Sequence, residues 1–154
     1  IVARDRSSAP SRTEELPLGL PIDPAELPVA PGVDDEVAAH LAARYGFAAG
    51  EIISMIRSAP ALGQRIVPDM PDPLAEVLMA VRNEQAQTIG DVLLRRTRLG
   101  LLSARELVAG AGDVPMAVRH VAGVMGDELG WDASRREAES IEWERVASAE
   151  GILP

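Results

Sequence analysis

From Asp34 onward, apolar residues recur three and four positions apart, the period of helices that bury one face. "DDEVAAHLAARYG" (34–46) opens on acidic residues suited to a helix N-terminus. It sets Val37, Leu41 and Tyr45 on one face and closes on Gly46, a natural C-cap. "AAGEIISMIRSAP" (48–60) turns Ile52, Ile53 and Ile56 inward and stops before Pro60. A loop of about a dozen residues, "PALGQRIVPDMP", follows. "DPLAEVLMAVRNEQA" (72–86) then predicts a helix with Asp72 as N-cap and Pro73 at its first position, its stripe being Leu74, Val77, Leu78, Val81 and Gln85.

The same period continues to the end of the chain. In "TIGDVLLRRTRLGLL" (88–102), Thr88 and Asp91 form a T-x-x-D start that resembles a capping box, and the stripe runs Ile89, Val92, Leu93. "SARELVAGAG" (103–112) repeats that start with Ser103 and Glu106. "DVPMAVRHVAGVMGDELG" (113–130) aligns Val118, Val121, Ala122, Met125 and Leu129. "WDASRREAESIEWERVASAEG" begins at Asp132 and stops at Gly151. No segment alternates as a strand does. The prediction is an all-α bundle of six or seven helices over 34–150, with 151–154 as a tail. Residues 1–33 stand apart: prolines at 10, 17, 21, 24, 28 and 31 forbid a helix and predict an extended linker, docked through Leu16, Leu18 and Leu20.

Composition narrows the class. Apolar residues make up 47% of the 154, but aromatics only 3%, so the core must be Ala, Val, Leu, Ile and Met. That mixture favours closely packed helices over a sheet. A net charge of −9 argues against a nucleic-acid partner. With no cysteine there is neither a disulfide framework nor a thiolate metal site. No run approaches the roughly 20 apolar residues of a membrane span, and the N-terminus carries charges where a secretory signal is apolar. A cytoplasmic setting is expected. The chain opens on Ile1 instead of Met, which suggests a processed product or a fragment cut from a longer protein.

Few residues promise chemistry. G-x-G-x-x-G and P-loop motifs are absent, and no serine sits in G-x-S-x-G. His40 and His120 fall in different predicted helices and would bind a metal only if folding joined them; the plainer reading is two surface or boundary histidines. No catalytic, cofactor or metal residue is therefore assigned. Glu137, Glu139, Glu142 and Glu144 read as a solvated face paired with Arg135, Arg136 and Arg145. Trp131 and Trp143 read as core or interface anchors.

The arginines at 95, 96 and 98 are the exception. Arg95 lies four residues after Asp91, a favourable local pair. Arg96 takes the next place on the buried stripe, where a guanidinium needs a partner. Two readings stay open. Glu84, on the flank of the preceding helix, pairs with Arg96 and fixes that corner; or Arg96, Arg98 or both reach out of the domain to an anionic group on a partner.

"AEVLMAVRNEQAQTIGDVLLRRTRLGLL" (75–102), with "VAGVMGDELGWD" after it, resembles the C-terminal helical domain of the FAD-dependent, quinone-linked glycerol-3-phosphate dehydrogenases. The resemblance rests on Glu76–Val77, Ala80–Arg82, Glu84, Thr88, Asp91–Leu93, the R-R-T-R run Arg95, Arg96, Thr97 and Arg98, and the run from Val124 to Asp132. "SRTEELPL" (11–18) is similar to the linker leaving the flavin domain, and "ARYG" (43–46) to a motif of the family. Gln85, Gln87 and Gly90 depart from many relatives. The resemblance implies a parent that oxidises sn-glycerol 3-phosphate to dihydroxyacetone phosphate, with FAD held upstream of this chain and electrons passed to quinone. It implies as partners the upstream flavin domain, other copies of the parent, and quinone at the inner face of the cell membrane. A free-standing helical interaction module is the alternative; a proline-rich lead without Met favours the severed domain.

Overall fold

Capping chemistry decides where helices start. Asp34 accepts the Val37 amide at 2.9 Å, and α1 (Asp35–Tyr45) runs from there to Gly46, whose φ of 53° only glycine adopts without strain. A 3-10 turn over Gly46–Ala48 leads into α2 (Ala49–Ser58), with Ile52, Ile53 and Ile56 fully buried. The computed structural model describes residues 21–108 and 113–152; among these, backbone pairing outside helices and turns amounts to one isolated antiparallel bridge, Arg65 to Pro73. The protein is all-α.

That bridge corrects the expected start of α3. The Ile66 amide donates to the Asp72 carbonyl at 2.9 Å and the Leu74 amide to the Gln64 carbonyl at 2.8 Å, so Pro73 is taken up in a pinched loop. The helix begins two residues later, as α3 (Ala75–Glu84), without a side-chain cap. Asp72 is freed to turn inward. Every residue from Ala75 to Val81 is buried, so α3 is a central helix and not a one-sided one. Gln85, expected on the stripe, is instead the exposed left-handed residue (φ 60°) that ends it.

The 88–102 stretch is also broken differently. Thr88 and Asp91 form a reciprocal box: the Asp91 amide donates to Thr88 Oγ1 at 3.1 Å and the Thr88 amide to Asp91 Oδ2 at 3.0 Å. The box opens a π-helical segment, Asp91–Arg96, closed by the Thr97 amide on the Val92 carbonyl at 2.8 Å. Arg98 (φ 62°) then separates it from two single turns, α4 (Leu99–Leu102) and α5 (Ala104–Leu107). Ser103 makes no cap hydrogen bond, so the second expected capping box does not form.

α6 (Met116–Leu129) buries Val118, Val121, Ala122 and Met125 and packs on α3. α7 (Ala133–Ala149) is capped by Asp132, packs on α6 and buries Trp143 and Ala147. Its acidic face is not wholly solvated: Glu139 is buried and takes Arg135 at 2.5 Å, while Arg136 leaves its own helix for Asp127 and the carbonyls of Gly123 and Trp131.

Of the proline-rich lead, residues 21–33 carry a 3-10 turn (Pro24–Glu26) capped by Asp23 and bury Leu27 and Ala30 against α1 and α2. Leu16, Leu18, Leu20, residues 109–112 and 153–154 lie outside the described residues. Ile152, expected in the tail, is buried. Two apolar clusters result. One gathers α1, α2 and residues 27–30; the other gathers α4 to α7 with the π segment, and α3 contributes to both.

Candidate functional site

His40 and Arg44 stand four apart on α1; Asp72 and Glu76 stand four apart at the head of α3. Folding brings these two pairs face to face, positive against negative. His40 Nε2 meets Glu76 Oε1 at 2.7 Å and lies 3.6 Å from Asp72 Oδ1. Arg44 stands 3.5 Å from each carboxylate. The Tyr45 hydroxyl donates to Glu76 Oε2 at 2.8 Å. Glu76 is 0% exposed and Asp72 2%, so two carboxylates lie in the interior beside one half-buried imidazole and one guanidinium.

Burial sets the electrostatics of this cluster. It lifts the Asp72 carboxyl to about 6, with the Glu76 charge adding to the rise and His40 and Arg44 opposing it. Burial pulls His40 down, but the hydrogen bond and charge of Glu76, with Asp72, more than offset it and hold the imidazole above 6.5. The Tyr45 phenol is pushed up by burial and by Glu76, and so stays a donor. An open groove of about 680 Å³ runs beside the cluster, lined by Ile22, Pro24, Ala42, Arg44, Tyr45 and the exposed Phe47. No nucleophile lies in this arrangement; its chemistry is the holding of protons or cations.

The residues singled out from the sequence form a separate corner. Arg96 Nη2 donates to the Glu84 carbonyl at 2.6 Å and Nε lies 3.1 Å from the Glu84 carboxylate. The pair is half-exposed, because the π register hands the inward place to Thr97. Thr97 Oγ1 donates to the Val92 carbonyl at 3.0 Å, five residues back. Arg95 pairs with Asp91. Arg98 is exposed beside Leu101 and Leu102, both more than 60% exposed. The histidines have different partners: His120 Nδ1 contacts the Gln64 side-chain amide at 3.2 Å, while His40 faces Glu76 and Asp72.

Sequence reading misses the His40–Arg44/Asp72–Glu76 cluster. The signal available is its spacing: a basic pair four apart at 40 and 44 and an acidic pair four apart at 72 and 76, with Glu76 in a run otherwise apolar over 74–81. The Asp-Pro setting of Asp72 hides it, because that pair reads as a helix start.

Comparison with known proteins decides the family. The family model described as the C-terminal domain of alpha-glycerophosphate oxidase matches residues 11–136. The chain belongs to this family. Among its relatives are glycerol-3-phosphate dehydrogenases: the mitochondrial protein of Bos taurus is 37% identical over 112 residues, 70% of this chain and 14% of its own length. The mitochondrial protein of Homo sapiens is 35% identical over 110 residues, 69% of this chain and 14% of its own. The glycerol-3-phosphate dehydrogenase of Synechocystis is 42% identical over 64 residues, covering 42% of this chain and 12% of its own length. The chain thus spans about one seventh of the length of the curated relatives it matches along most of its course. No solved structure matches. Among the described residues, no helix is long and apolar enough to cross a membrane.

Proposed function

We propose that this domain serves a FAD-dependent glycerol-3-phosphate dehydrogenase as its helical C-terminal unit, supporting folding and docking while the redox chemistry proceeds elsewhere in the parent. The match to the family over residues 11–136 carries the reading. The reaction proposed for the parent is oxidation of sn-glycerol 3-phosphate to dihydroxyacetone phosphate, for which FAD, held outside these residues, would supply the two-electron acceptor and quinone at the membrane surface the final one.

The residues here do not fit a flavin. The sequence holds no G-x-G-x-x-G, and the described residues hold no strand-to-helix turn that would place backbone amides on a pyrophosphate. No step is therefore routed through this chain. For the partner surface we propose the exposed group Arg98, Leu101 and Leu102, which joins one charge to two uncovered apolar side chains.

The test compares the purified 154-residue chain with its full-length parent. The expected result is a colourless chain that does not oxidise glycerol 3-phosphate, and a parent that binds FAD and reduces a quinone analogue. Arg98→Glu combined with Leu101→Ser should loosen the parent's grip on this domain, read by limited proteolysis, with the isolated chain melting as before. Stoichiometric flavin on the isolated chain, or a parent inert toward glycerol 3-phosphate, would overturn the reading.

A further inference from the structure

We propose that His40, Asp72 and Glu76 form a binding site for a divalent transition-metal ion on the seam between α1 and α3. One donor atom from each lies within 4.8 Å of the other two. Tetrahedral ligands with bonds of about 2.1 Å stand about 3.4 Å apart. The imidazole nitrogen is 2.7 Å from one carboxylate and 3.6 Å from the other, so small side-chain shifts admit an ion.

A second observation points the same way. Asp72 Oδ1 is buried, makes no hydrogen bond, and is turned toward His40 in a side chain only 3% exposed. A buried carboxylate oxygen without a donor calls for a cation. Arg44 does not fill that role. Its Nη1 stands 3.5 Å away, longer than a charge-assisted hydrogen bond, and its guanidinium carbon lies 5.6 Å from the Tyr45 ring centre. Meanwhile Tyr45 holds Glu76 by Oε2 at 2.8 Å, which orients the carboxylate and leaves Oε1 for the ion.

The ion takes the place of the His40–Glu76 hydrogen bond. His40 binds through Nε2 as the neutral imidazole, and its proton leaves to solvent. His40 is the most exposed of the three ligands, so entry is from its side, where the fourth coordination position also opens. One imidazole with two carboxylates gives an expected order of Zn²⁺ above Mn²⁺ above Mg²⁺.

Calorimetry of the 154-residue chain with Zn²⁺, Mn²⁺ and Mg²⁺ chlorides tests this. One Zn²⁺ per chain is expected, with His40 imidazole NMR signals shifted on binding and those of His120 unmoved. Asp72→Asn and His40→Gln should abolish the uptake, and Tyr45→Phe should weaken it about tenfold. Arg44→Gln removes a competing positive charge and should tighten it, an outcome that a purely structural ion network does not give. Absence of Zn²⁺ uptake by the unaltered chain, or uptake that survives Asp72→Asn and His40→Gln, would overturn the site.

Discussion

Trp143 in α7 donates its indole N–H to the carbonyl of Leu107 at 2.6 Å, deep in the larger core cluster. The bond satisfies the last carbonyl of the short α5. Trp143→Phe keeps most of the ring but removes that donor. A loss of about 1–3 kcal/mol in urea unfolding is expected, and an unchanged midpoint would show the bond contributes nothing.

Gly100 lies under the same indole. A Cβ there would meet Trp143 Cη2 at 2.7 Å and Leu94 Cδ2 at 2.9 Å. Gly100→Ala should cost about 1–3 kcal/mol despite the better helix propensity of alanine. Thermal melting checks the sign; a stabilised variant contradicts the packing described.

Glu84 and Arg96 should behave as a pair. Both are partly exposed, so a coupling of about 0.5–1 kcal/mol is expected in a double-mutant cycle of Glu84→Ala with Arg96→Ala. Arg96→Ala alone should lose more than the coupling, since it also removes the donor to the Glu84 carbonyl. Strict additivity would mean the contact carries no energy.

Asp91 gives the domain an acid-sensitive corner. Burial works to raise its pKa, but the amides of Gln87 and Thr88, the Thr88 hydroxyl and Arg95 together hold it below 3.8. A folded-state pKa below the unfolded one means stability present above pH 3.8 and lost as pH falls through the folded value. Asp91→Asn should therefore be less stable than the unaltered chain at pH 7, by about 1 kcal/mol. The gap should close as pH drops below 3.8, followed by denaturant midpoints against pH. A gap constant down to strongly acidic pH would contradict the assignment.

Tyr45→Phe removes one of the two hydrogen-bond donors on the fully buried Glu76. The expected cost is about 1–3 kcal/mol by thermal or urea unfolding in the presence of a chelator. Indifference to the change would imply that Glu76 is not held as described.

Local signals are legible in the sequence and distant ones are not. Asp34, Gly46, Asp132 and the Thr88–Asp91 box act within one turn of their own position, and the chain declares them. Glu76 looks like a polar position on an amphipathic helix, because its partners His40 and Tyr45 lie 36 and 31 residues away. Asp72 carries a strong start signal, yet the Arg65–Pro73 bridge uses that segment otherwise and turns the carboxylate inward. Counting in steps of three and four puts Arg96 on the buried stripe. The π segment adds a residue to the turn, and Thr97, five after Val92, arrives there in its place.

α3 has one side in each apolar cluster: Ala75 and Met79 belong with α1 and α2, while Val77, Ala80 and Val81 belong with the cluster that holds α6. Neither half of the domain can therefore melt while the other keeps its wall. The amides of this helix should exchange with solvent only through global opening, and a cut anywhere within it should dismantle both halves together.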